Sequence, residues 1–391
     1  MHATSSTHPG PPGDARVAGS SPARVGLRVP WPLGLLALFG VALAWRWAYL
    51  ARLRHTPFAG GLEADARIYW DWSEFILRHG LAPPSPFFLA PLYPYALAGL
   101  RAIGGGSIDR VLAMQAFLGA ASVVLLADAT RRLAGRPAAR VVGAILALYQ
   151  GATFFDGLVL PESLLILVES LLVWLVARTD WSGAGAARYA GYGLLVGLLA
   201  LGRASDAVLL VPVVLLAGPR RPPCGHALRR IGAAVATFSA CCLLSTLANR
   251  QASRELIPFT YSLGFNLYVG NNPDANGAYV DVTGGSLPVP LPGTSPTTGG
   301  ALDGRAFVLA TEKRPLSPAG SSAYWAGKAA AFVRSSPLEA LGRTGRKLLL
   351  AWNYREIPQI ETMQSYDRAA GPLGLPLVGT FGFLAVLGIA G

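Results

Sequence analysis

Four carboxylates, Glu63, Asp65, Asp71 and Glu74, fall within a twelve-residue stretch of a polar insert that follows the first apolar run of the chain. Ionisable groups held close to hydrocarbon are costly and tend to be functional, so an acid at the mouth of a helical bundle is a candidate for catalysis or binding. Asp65 leads this set. It also has a structural reading, because a helix beginning near Ala66 would make Asp65 its N-cap and fix the carboxylate at the face of the insert. A cation stands elsewhere, in the turn Gly202-Arg203-Ala204-Ser205-Asp206 that interrupts an apolar stretch. There Arg203 would grip a phosphate through its planar fork, or pair with Asp206 across the turn. Glu162 opens a further apolar run, where the helix dipole favours an acid.

The elements that position these groups are membrane helices. A chain of 391 residues that is 52% hydrophobic and only 14% charged, with positive mean hydropathy, is too apolar for a soluble protein of this size. The net charge of +12 does not point to nucleic acid, because the arginines cluster in short loops between apolar runs, the pattern that marks the cytoplasmic side of a membrane. A span needs about 20 apolar residues to cross roughly 30 Å of hydrocarbon. Residues 31–50, 110–129, 138–155, 161–177, 231–248 and 373–391 are candidates. The stretch 189–218 reads as two short helices around the Arg203 turn, since a single crossing would strand Arg220, Arg221, Arg229 and Arg230 on the wrong side. This predicts an all-α polytopic bundle with a disordered cytoplasmic tail over 1–30 and an uncleaved first anchor. An insert at 52–109 and a Gly- and Pro-rich segment at 249–372, made of loops and short helices, lie outside. The apolar part of 91–103 suits an interfacial or re-entrant helix. Cys224, Cys241 and Cys242 read as packing residues, no His pair has metal-ligand spacing, and Gly104, Gly105 and Gly106 lack the Lys-Ser/Thr of a phosphate loop. No internal repeat of fixed period is present.

Asp65 followed four residues later by Tyr69, and then Pro91-Leu92-Tyr93-Pro94-Tyr95, resemble the first outer loop of the GT-C glycosyltransferases. Within that class the chain is most similar to the bacterial protein O-mannosyltransferase and aminoarabinose-transferase group. The resemblance runs over about 31–358, and it implies an enzyme of the bacterial plasma membrane with its site at the outer face. Such an enzyme moves a sugar from a polyprenyl-phosphate carrier to a hydroxyl of a protein, lipid or glycan. The reaction needs a carboxylate to accept the hydroxyl proton and cationic or hydrogen-bonding groups for the departing phosphate. By resemblance Asp65 is the general base, with Glu63 as the neighbouring acid. The family commonly has an Asp-Glu pair, whereas Ala66 follows Asp65 here. Tyr93 and Arg203 would then hold the donor, alternatives being an interfacial aromatic and a turn-closing ion pair. Glu162 matches an acid that orients the family's cavity. Members of the class carry further spans, so a fragment or a shortened relative is expected.

Gly264, Asn266, Tyr268, Gly270, Asn271, Asn272 and Pro273 form the most specific string in the chain and resemble a run found after a span in many bacterial members. Its amides and tyrosine would bond sugar hydroxyls or phosphate, or only stabilise a tight turn. Asp274, Asn276 and Gly277 resemble the start of a calcium loop, but the EF-hand spacing and closing Glu are absent. No metal site is assigned, and the resemblance leaves a divalent ion open. Tyr354 and Glu356 are lesser candidates for the cavity. Two other classes compete: a lipid or small-molecule transporter, expected to place charges in pairs near mid-span, and a non-catalytic membrane scaffold.

Overall fold

The computed structural model describes residues 30–181, 183–217, 224–279, 282, 303–353, 357, 362–371, 381–382 and 384–385. The tail, Arg220, Arg221, Tyr354, Glu356 and most of the 373–391 run therefore lie outside the described residues. Within them the chain is helical, with no strand. The first apolar run is α1 (Trp31–Leu53), with a proline in its first turn, where the missing N–H is harmless. Together with α4 (Ile108–Ala147) and residues His226–Ser253, it is long and apolar enough to cross a membrane.

α4 comprises two helices joined at a kink, in keeping with the two separate runs read from the sequence. Gly135 takes φ 86° and ψ 175°, a conformation open to glycine, and Pro137 follows it. The chain then doubles back, for Gly143 packs against Ala127 and Leu38, and Ala147 joins Ala42, Ala120 and Val123 in one apolar cluster. The expected 138–155 span is likewise two pieces. It stops at Ala147, and α5 (Gln150–Asp156) begins beyond Tyr149, whose backbone is extended. Next come α6 (Glu162–Ala177), α7 (Ala186–Gly202), a 3₁₀ turn at Ala204–Leu209 and α8 (Leu210–Ala217). α8 runs back along α7, since Tyr189 Oη donates to Leu216 O at 2.8 Å. α9 (Cys224–Ser253) crosses α7 closely. A methyl on Gly193 would overlap the Ala234 carbonyl, and one on Gly197 would meet Cys241 Sγ at 2.7 Å. Small residues are what let two apolar helices approach in this way.

These contacts sort the chain into two ends. At one, Asp128 accepts from Trp31 Nε1 and Trp174 Nε1 at 3.0 Å each and from Arg131 and Arg132, with Arg178 3.8 Å away. Arg230 lies 5.8 Å from the Tyr189 ring at the same end. The other end holds α2 (Ala64–His79), α3 (Leu92–Gly104), the α5–α6 junction, the Arg203 turn and the end of α9. There Asn249 accepts from Phe87 N at 2.8 Å and donates to Phe259 O at 2.9 Å. Beyond it follow α10 (Leu263–Gly270), α11 (Arg305–Glu312), α12 (Pro318–Ser335), α13 (Pro337–Ala351) and α14 (Met363–Ala370). α10 packs on α12, and α14 returns to the end of α1, where Tyr366 stacks on Phe58 at 4.2 Å.

One ion pair ties the insert end together. Arg46 Nε donates to Asp156 Oδ2 at 2.7 Å, and the two side chains are 1% and 2% exposed. Arg46 Nη1 also reaches the carbonyls of Ala42 and Ala147, while Ser163 Oγ donates to Asp156 Oδ1 at 2.6 Å. Removing one member of a buried pair costs about 3–5 kcal/mol, whereas replacing both by apolar residues is often neutral. Arg46→Met is therefore expected to lower the melting temperature in detergent, and Arg46→Met with Asp156→Val to recover most of the loss, as followed by circular dichroism. A double variant as unstable as the single one would assign the cost to packing instead of charge.

Candidate active site at the insert end of the bundle

α2 begins two residues earlier than its sequence pattern suggests. Glu63 is the extended N-cap residue and makes no side-chain cap bond, so Asp65 lies in the first helical turn and is not the cap. The switch from strand-like to helical backbone falls at Ala64, whose φ of 44° is rare for a residue with a side chain and costs on the order of 1–3 kcal/mol. The helix buries Ala66, Tyr69, Trp72, Ser73 and Ile76, a stripe at helical spacing. Asp65 and Tyr69, four residues apart, share a side.

That side faces a cavity of about 550 Å³, whose lining includes Glu63, Asp65, Tyr69, Glu162, Arg203 and Asn266. Phe154, Leu158, Val159 and Pro91 supply apolar walls. Burial pushes the Asp65 carboxyl above the ordinary aspartate range. Tyr69 is held neutral far above the usual phenol range, first by burial and then by the charges of Asp65 and Glu162, with Arg203 opposing them. Four groups chosen from separate stretches of sequence thus act on one another electrostatically.

Arg203 ends α7 in extended conformation, and its Nη2 donates to Glu162 Oε1 at 2.8 Å. The expected partner across the turn, Asp206, is not the one used. Its N–H donates to Arg203 O at 2.9 Å and its carboxylate accepts from Ser205 Oγ, so the backbone closes the turn. Gly202 makes the Glu162 pairing reachable, since a methyl there would overlap Leu165 of α6 and press on Leu92 at 3.3 Å. Glu162 Oε2 is buried without a hydrogen-bond partner among the described residues.

Other candidates are placed elsewhere. Tyr93 stands behind the cavity wall, edge-on to Tyr69 at 5.1 Å, and its hydroxyl donates to Gln115 Oε1 at 2.5 Å. Ala90 and Pro91 are the parts of that motif that reach the lining. Glu74 is taken up by an ion pair with Arg101 that fastens α2 to α3 and by one with Arg78 within α2. Of the Gly264–Pro273 string, Asn266 alone lines the cavity. Tyr268 packs on Trp325 at 5.0 Å, Asn271 Nδ2 donates to Leu267 O, and Asn272 Nδ2 donates to Tyr268 O and Val269 O. These side chains fold back on their own helix because the exposed carbonyls at its C-terminus lie within reach. Gly264 is required by packing, for any side chain would overlap the Ser322 carbonyl. Asn276 Oδ1 accepts from Ala278 N in a local turn, and no group of three or more His, Cys, Asp or Glu stands together among the described residues.

Sequence reasoning missed Arg46, Gln115 and Asp156 as supports and Thr260, Ser262 and Ser205 in the lining. Arg46 carried a signal, a charge inside a 23-residue apolar helix. The hydroxyl residues carried none, being common at helix ends. No family model matches the chain, and neither a curated protein nor a solved structure matches it.

Because the folded state raises the Asp65 pKa, it binds that proton more tightly than the unfolded chain does. The charged carboxylate therefore costs stability at neutral pH, and the cost fades as pH falls through the raised pKa. Asp65→Asn is expected to melt no lower than the parent at pH 7, with any advantage shrinking toward pH 4. A lower melting temperature at pH 7 would mean that the carboxylate holds the fold together.

Proposed function

We propose that the protein is a multi-pass membrane glycosyltransferase of the GT-C type, transferring a sugar from a polyprenyl-phosphate carrier to a hydroxyl of a protein, lipid or glycan. The observation that carries this reading is the pairing within one cavity of a shielded carboxylate, Asp65, with a cation, Arg203, that has donors to spare. Asp65 makes no ion pair among the described residues, which suits a base better than a structural acid. The basic end of the bundle, with Arg131, Arg132, Arg178 and Arg230, supports a cytoplasmic assignment for that end and an outer-face site, in a bacterial plasma membrane.

In the proposed reaction the acceptor oxygen forms a bond to the anomeric carbon from the face opposite the phosphate. The acceptor proton passes to an Asp65 carboxylate oxygen, the bond from the anomeric carbon to the phosphate oxygen breaks, and the polyprenyl phosphate leaves with the electron pair, inverting the centre. A carboxylate whose pKa is raised by burial is, once ionised, a stronger proton acceptor than an ordinary aspartate. The guanidinium of Arg203 offsets charge on the leaving phosphate. Asn266, Thr260 and Ser262 line the same cavity, and in this reading they bond sugar hydroxyls.

Incubating the purified protein in nanodiscs with radiolabelled polyprenyl-phosphate sugars tests the activity directly. Loss of a general base typically costs about 10²- to 10⁴-fold in rate, so Asp65→Asn is expected to bind donor lipid normally and to transfer at a small fraction of the parent rate. The parental rate should fall on the acid side at a pH above the ordinary aspartate range. Near-parental turnover by Asp65→Asn would remove it from the role of base.

Arg203→Ala is expected to weaken donor binding, and Arg203→Lys to recover only part of it, because a lysine keeps the charge and loses the fork. Titration with donor lipid by microscale thermophoresis reads both. Unchanged affinity in Arg203→Ala would leave the Glu162 pair as its whole purpose.

A further inference from the structure

α13 is too short and too charged to span. Fifteen residues rise about 22 Å at 1.5 Å each, and Arg343, Arg346 and Lys347 fall within it. Its two sides differ sharply. Ala340 is buried, Arg343 donates to Asn272 O at 2.7 Å and Pro273 O at 2.6 Å, and Lys347 Nζ donates to Gly270 O at 2.6 Å. Leu350 packs toward Gly277. This side is bound to the turn that follows α10. Opposite it, Leu338, Leu341, Leu348, Leu349 and Trp352 are 58% to 84% exposed. At 3.6 residues per turn they occupy roughly a third of the circumference, a continuous apolar stripe pointing away from the protein.

The surroundings say what covers the stripe. Five residues past Trp352 the chain lines the cavity at Ile357, and α14 then packs on the end of α1, with Gly371 beside Arg52. α13 therefore leads into segments seated at the end of a helix long and apolar enough to cross a membrane. Arg346 is exposed, with its stem against Gly277 between the bound side and the stripe, and from there a guanidinium can reach lipid phosphates while the leucines enter the acyl boundary.

We infer that α13 is a membrane-surface helix, lying in the lipid–water interface at the cavity end with its leucine stripe in the leaflet. The inference rests on the membrane reading of the bundle and is independent of the transfer reaction. A lipid surface meets both parts of the pattern, apolar area and edge cation. A second copy of the chain would leave Arg346 without an assigned partner.

The test uses the full chain, with Cys224, Cys241 and Cys242 replaced by Ala, in vesicles of phosphatidylcholine and phosphatidylglycerol. A nitrobenzoxadiazole label is placed at Leu348→Cys, with Leu341→Cys as a second stripe position should the first fail to fold. Thr311→Cys on α11 is the water-exposed control and Leu36→Cys on α1 the span control. The stripe labels are expected to be quenched by nitroxides on the lipid tails and to be severalfold less open to iodide than the Thr311 label. Iodide access equal to that at Thr311, with Leu36 quenched from the lipid, overturns the inference alone. Shielding that grows with protein-to-lipid ratio and is insensitive to lipid nitroxides overturns it in favour of a second copy. A water-exposed Leu36 overturns the membrane reading itself, and this inference with it.

Discussion

The insert end of the molecule is organised around the buried pair of Arg46 and Asp156. Two charges removed from water pay a desolvation cost that their attraction offsets only when geometry is good and the remaining donors and acceptors are satisfied. Here the guanidinium is shared among a carboxylate and two carbonyls, and the carboxylate takes the Ser163 hydroxyl as well. The demands of that geometry spread outward. α4 must carry glycine at 119, where any methyl would overlap the ion pair, and the chain must leave helix between Ala147 and Gln150 so that Asp156 faces α1. Glu162 then falls six residues past Asp156, at the start of α6, which delivers it to the cavity lining.

A second constraint is closeness. Gly193 and Gly197 bring α7 against α9, and Gly202 brings the end of α7 against α6. Between apolar helices in lipid there is little hydrophobic drive for association, so close backbone approach and interhelical hydrogen bonds carry more of the stability. Thr237 Oγ1, donating to Ala190 O at 2.8 Å, is one such bond at this crossing. The result places Arg203, at the tip of α7, within reach of Glu162 and leaves Asp206 to the local turn.

Much of this was legible in the sequence because apolar helices obey few rules. Apolar length and arginine placement were enough to separate the ends of the bundle and to divide 189–218 at Arg203. Helix boundaries were less legible. The hairpin within α4 turns on a single glycine conformation at 135, and the start of α2 turns on a left-handed Ala64 that no propensity would place there. Asp65, Glu162 and Arg203 could be picked out as polar residues near hydrocarbon and Asn266 through the resemblance of its string, and the four share one cavity. Tyr93, Tyr268, Asn271 and Asn272 could not be sorted the same way. A buried tyrosine and an asparagine at a helix end look alike in sequence whether they meet a ligand or a backbone carbonyl, and only the fold decides which is nearer.

The charge balance of the cavity carries a consequence for the proposed reaction. Glu162 already pairs with Arg203, and Asp65 and Glu63 line the same cavity, so among the described lining residues three carboxylates surround one arginine. An anionic phosphate entering such a site is favoured only if what it gains from the Arg203 donors exceeds the repulsion from the three carboxylates. The planar guanidinium permits that, since Glu162 occupies one nitrogen and a phosphate approaching from the cavity can bond the others without breaking the pair. Sharing the arginine would leave Glu162 as the group that fixes its orientation, much as a carboxylate orients a catalytic imidazole, while Asp65 is kept basic by burial. On this view Glu162 and Asp65 have the same chemistry and opposite duties, and what assigns them is that one lies beside an arginine and the other does not.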